Sequence, residues 1–169
     1  MQFIVLLEAV VWSVLWSIVV FTLILRFPWL IEHDYPKDIR EAANIPRPSA
    51  PQKRNGLIFS ILGYFIIIGT LMGAGLWHYH STPISFWSLL LHLWIICFFW
   101  NIVDLLILDW LIVCAITPDW LMIPGTEHCK GWKDYKFHFN GFLQGCFYMS
   151  LIALVFTVID YGILYFFLW

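Results

Sequence analysis

The chain has 169 residues, 62% of them hydrophobic, 20% aromatic and 12% charged, with a formal net charge of −2 and a mean hydropathy of +0.82. A soluble domain carries about 25% charged residues, so this composition excludes an ordinary water-soluble fold and points to a single integral membrane domain over 1–169. The slightly acidic balance gives no basic surface for nucleic acid; the partner implied is the lipid bilayer, at whose interfaces Trp, here eleven residues, collects.

Crossing the hydrocarbon takes about 20 apolar residues, and four runs qualify: about 2–27, 56–77, 84–109 and 141–169. The first has no basic segment before it and no small-x-small site after it, so it reads as an uncleaved span and not as a secretory signal. Glu8 lies near one end of it and Arg26 closes the other.

The loop 32–55 follows. Pro36 suits a helix start, so "PKDIREAA" is expected to form a short amphipathic helix, while "IPRPSAP" holds too many prolines for helix and should be extended. The second span carries Gly69 and Gly73 as a GxxxG pair. Small residues at this spacing let helix backbones approach closely in lipid, within the bundle or across a homo-oligomer.

After the tight connection "HYHSTP", the third run stays apolar to Thr117. A straight helix from Ile84 to that point is about 50 Å long, more than the hydrocarbon thickness. The span is therefore expected to leave the membrane near Asp109 and Trp110, with 110–123 in the interface. The loop 118–140 reads as an interfacial segment rich in aromatic residues, in which His128, Cys129 and His138 match no zinc spacing. Four cysteines without a CxxC pair give no disulfide framework.

Charge sets the orientation. All nine Lys and Arg residues lie in or beside the loops 32–55 and 118–140. By the positive-inside rule both loops are cytoplasmic and both termini face out. The fold class is all-α, a four-transmembrane-helix bundle.

"HDYPKDIR" and "IPGTE", in a chain of this layout, resemble stretches of small bacterial polytopic integral membrane proteins. The resemblance implies a bacterial inner membrane; no activity or site comes with it.

The unusual chemistry is inside the spans. Glu8, Asp104, Asp109 and Asp160 are carboxylates in apolar runs, and Asn101 is a neutral polar group among them. A charged Asp at a span's centre costs about 2.5–3.5 kcal/mol, so such groups face the interior, pair or take up a proton. At about 100° per residue, Asn101 and Asp104 lie roughly 60° apart on one face, while Asp109 lies about 140° around from Asp104. Asn101 and Asp104 are thus the expected ligand site, with Glu8 and Asp160 toward the outer mouth. Asp109 is expected at the cytoplasmic edge, ion-paired with Arg26.

The outer side also holds His78, His80 and His92. They are metal-capable and His92 could ligate haem, but their spacing specifies no site, and they read as interfacial histidines. No cofactor is specified. "NIVDLLILD" approaches the Asn/Asp-rich motif of intramembrane prenyltransferases, but the extra residue before Asp109 and the lack of a second acidic motif set it apart.

Three functions compete. The leading one is binding of a small ligand or ion at Asn101 and Asp104, with a link to transport. The second is an intramembrane enzyme acting on a lipid or isoprenoid, with Asp104 as the catalytic acid. The third is an accessory subunit whose polar groups are interhelical hydrogen bonds.

Overall fold

Prolines and polar caps divide the chain into five helices. The computed structural model describes residues 2–169. Helix α1 (Gln2–Arg26) ends just before Pro28, and two short turns lead to α2 (Lys37–Ala42), which follows Pro36 as expected. The proline-rich stretch is non-helical only as far as Ser49, and its last two residues, Ala50 and Pro51, already open α3 (Ala50–Tyr79), six residues before the expected span; there Gln52 Oε1 accepts from Ser49 N at 2.8 Å. Helix α4 (Phe86–Val103) is capped by Ser85 Oγ. Helix α5 (Tyr135–Ile163) is capped by Asp134 Oδ1, which accepts from Phe137 N at 2.9 Å.

Four helical segments are long and apolar enough to cross a membrane: Phe3–Arg26, Ala50–Tyr79, Phe86–Ile116 and Tyr135–Leu168. The third does not stop at Asp109. From Asp104 to Ile116 the chain continues as a π-helix, whose hydrogen bonds reach back five residues instead of four. It ends at Thr117, a β-branched residue held at φ 48°. Thr117 N donates to Ile112 O at 2.9 Å and its hydroxyl to Val113 O at 2.7 Å. Lys133 then covers the last carbonyls, donating to Cys114 O at 2.7 Å and Ala115 O at 3.2 Å. A cation at a helix C-terminus also meets the negative end of the helix dipole.

Helix α4 is the centre of the bundle. It buries 33% of its most apolar stretch against 17–22% for the other three. Leu89 and then the pairs His92 and Leu93, Ile96 and Cys97, and Trp100 and Asn101 fall on successive turns, an arc wide enough to meet α1 on one side and α5 on the other. The periphery is the reverse of a soluble surface: Trp77 and Phe167 are 82% and 81% exposed, amid many exposed Leu, Ile and Phe residues. Facing lipid, such residues give no drive to helix association, which falls to close packing and interhelical hydrogen bonds. Three tryptophans supply the latter. Trp12 Nε1 donates to Ile67 O, Trp94 Nε1 to Ser150 Oγ and Trp169 Nε1 to Tyr79 O, each at 2.9 Å.

At the end carrying the two longer loops, a second small core forms from Ile39, Leu121, Ile123 and Trp132. Asp38 locks the loops together, accepting from Gly131 N at 2.8 Å. The 118–134 segment is thus folded onto α2.

Candidate metal centre between three helices

The inward stripe of α1 runs Val5, Ala9, Trp12 and Ser13, all buried. Glu8 lies on this stripe, one turn before Trp12, so its carboxylate is directed between helices. On α4 the same reasoning applies to His92, flanked by Leu89, Leu93 and Ile96. The last turn of α3 contributes His78 and Tyr79.

These residues meet. His92 Nε2 is 2.6 Å from Glu8 Oε2, and His78 Nδ1 is 3.9 Å from Glu8 Oε1. One ligand atom from each of Glu8, His78 and His92 lies within 4.8 Å of the others. The second nitrogen of His92, Nδ1, is 3.0 Å from the Tyr79 hydroxyl. The Glu8 and His78 side chains are 22% and 17% exposed, and that of His92 only 2%.

Two imidazoles and one carboxylate are the donors that hold zinc in many open sites. Around an ion with bonds of about 2.0–2.1 Å the donor atoms sit about 3.3 Å apart. The observed separations of 2.6 and 3.9 Å straddle that value. With Nε2 turned to the carboxylate, His92 Nδ1–H donates to Tyr79, the outer hydrogen bond that orients metal-bound histidines. The burial of His92 leaves no face for a haem ring.

Two of the three histidines read as interfacial therefore belong to an interior cluster. His80 does not: its Nδ1 is 2.7 Å from Trp77 O on an exposed turn. Beside the cluster runs a groove of about 460 Å³, lined by Glu8, Gly69, Gly73, Trp77 and Ile96 among others. Gly69 and Gly73 have no neighbouring side chain within 4 Å of where a Cβ would lie, so this pair is not where α3 packs on its own bundle. That role falls to Gly63, against Val19, and to Gly75, against Asp160 and Leu89.

Asp160 is fully buried on α5, and neither of its oxygens has a hydrogen-bond partner. A Cβ at Gly75 would lie 2.5 Å from its Oδ2. It thus packs one helical turn from His78 and Tyr79.

The polar groups of α4 are divided differently from the α-helical expectation. Asn101 turns to α5, donating to Phe142 O at 3.1 Å and Cys146 Sγ at 3.3 Å. It is an interhelical clamp seated against Gly145, where a Cβ would overlap the amide. Asp104 instead lines a cavity near the two loops. Asp109 is drawn toward Asp104, because in a π-helix residues five apart stack on one face as residues four apart do in an α-helix. Its partner is His138 Nδ1 of α5 at 2.9 Å, not Arg26, which is exposed and forms no ion pair among the described residues. The pairing goes to His138 because α5 packs along the π-helical segment.

Comparison with protein-family models, with curated proteins and with solved structures finds no match to this chain.

Proposed function

We propose that this protein binds a divalent transition-metal ion, of the zinc class, at Glu8, His78 and His92. The observation that carries this reading is the convergence of three ligand atoms from three separate helices within 4.8 Å. Sequence-adjacent histidines on one surface often cluster by chance; a carboxylate and two imidazoles brought together through a hydrophobic bundle do not arise from local spacing. The Tyr79 hydroxyl behind His92 supports it. The metal site belongs to a multi-pass protein of the bacterial inner membrane with both termini outside, which places the centre in the outer half. A transport role suits an ion site built between membrane-spanning helices.

Cobalt is the direct probe of the centre. Purified protein in lipid nanodiscs, titrated with Co²⁺, is expected to bind one equivalent with visible ligand-field bands of low coordination number. Glu8→Gln and His92→Gln should each lose those bands. No saturable Co²⁺ uptake by the wild type, or uptake untouched by both substitutions, overturns the metal reading. Sidedness is tested separately by impermeant thiol labelling of cells: a cysteine placed at Ser49 should stay unmodified and one at Ser81 should react. The opposite pattern overturns the orientation.

A further inference from the structure

A second constellation lies at the other end of the bundle, and the metal centre makes no use of it. A cavity of about 370 Å³ opens between α1, α4, α5 and the folded loops, within the size range of small-molecule pockets. Trp16 and Trp100 form one wall, stacked with centroids 5.6 Å apart and planes 14° from parallel. Asp34, Tyr35, Asp104 and His138 supply its polar groups.

Three of these lining residues carry a buried polar atom with no hydrogen-bond partner: Trp16 Nε1, Tyr35 Oη and His138 Nε2. Buried polar groups are nearly always paired, and each one left alone costs about 1–3 kcal/mol. Among the described residues only Trp29 and Asp160 share this condition elsewhere. The concentration of three orphans around one cavity marks it as shaped for something that completes them.

The chemistry of that partner can be read from the donors and acceptors. His138 Nδ1 lies 2.9 Å from Asp109 Oδ1, so Nε2 is the ring atom left to the cavity, an acceptor whenever the neutral ring carries its proton on Nδ1. His138 is itself 11% exposed. Asp104, on the same face of the π-helix as Asp109, offers carboxylate acceptors. These groups call for N–H donors carrying positive charge. Trp16 Nε1–H is a donor only. Burial, with Asp34 adding to it, pushes the Tyr35 hydroxyl up to about 12, so it also remains an O–H donor. These two call for an oxygen acceptor. The Trp16 and Trp100 indoles and the apolar side chains lining the cavity favour an aromatic or apolar body.

We infer that this cavity is a binding site for a primary organic ammonium with an aryl or apolar body and an oxygen function, its ammonium held by Asp104 and His138 and its oxygen by Trp16 and Tyr35. A metal ion is not the match, because the cavity is large and mostly apolar. A lipid acyl chain is not either, since it would leave the three orphaned atoms unpaired.

Tyramine has the required functions and serves as the probe, with tyrosol, in which a hydroxyl replaces the ammonium, as its uncharged counterpart. Isothermal titration of the full chain in nanodiscs should show saturable tyramine binding and at least tenfold weaker tyrosol binding. Asp104→Asn, nearly isosteric, should weaken tyramine at least tenfold, and Tyr35→Phe three- to tenfold, with circular dichroism and thermal unfolding unchanged. Tyramine binding that is absent, or equalled by tyrosol, or indifferent to both substitutions, overturns the inference. So does mass-spectrometric recovery of a stoichiometric lipid from the cavity.

Discussion

The Glu8–His78–His92 cluster and the loop-end cavity are both polar sites inside an apolar bundle, yet they solve the burial problem in opposite ways. In the cluster each polar group already leans on another: Glu8 on His92, His92 on Tyr79, with His78 at longer range. At the loop end the cavity is large, and Trp16, Tyr35 and His138 hold polar atoms that nothing in the protein satisfies. A site satisfied within itself can wait for a small ion without a stability penalty. One left unsatisfied carries a standing cost that only a larger partner removes. Trp16 is common ground, standing between Trp12 of the inward stripe and Trp100 of the cavity wall.

That contrast can be sharpened by substitutions that touch one region and spare the other. The larger effect is expected for Tyr79→Phe, which removes the hydroxyl behind His92. Loss of such an outer partner typically weakens metal binding about 10–100-fold. Co²⁺ affinity should fall by about tenfold while tyramine affinity holds; a fall in both would mean that the two regions are one coupled site. A smaller effect is expected for Asn101→Ala. Interhelical hydrogen bonds in membranes average about 0.6 kcal/mol and reach about 1.7 kcal/mol. Unfolding in mixed micelles should lose about 1 kcal/mol with both ligands still bound. Selective loss of either ligand would return Asn101 to a binding role.

The spans were legible because hydropathy and length are properties of the chain itself: four apolar runs correspond to four long helices, and Pro36 marked the start of the short α2. Glu8 and His92 were also open to inference. Each sits at helical spacing from apolar residues that face inward, Glu8 before Trp12 and His92 before Ile96. That the two would meet was not, since it depends on how α1 crosses α4, and nothing in either segment encodes the crossing. The division of Asn101, Asp104 and Asp109 was hidden for a different reason. It turns on whether hydrogen bonds reach four or five residues back, and an apolar run reads the same in either case. His138 was set aside as part of a loop because only folding brings it under Asp109.

Two glycines described above carry a consequence for how this sequence can change over time. Gly75 leaves room for the Asp160 carboxyl and Gly145 for the Asn101 amide. Each glycine and its polar neighbour occupy a single volume, so neither position is free to drift alone. A lineage that gains a side chain at 145 must lose the amide at 101 in the same step or pass through a misfit bundle, and 75 with 160 obeys the same constraint. Among descendants of this chain, the two pairs should therefore be inherited as linked characters, kept together or abandoned together.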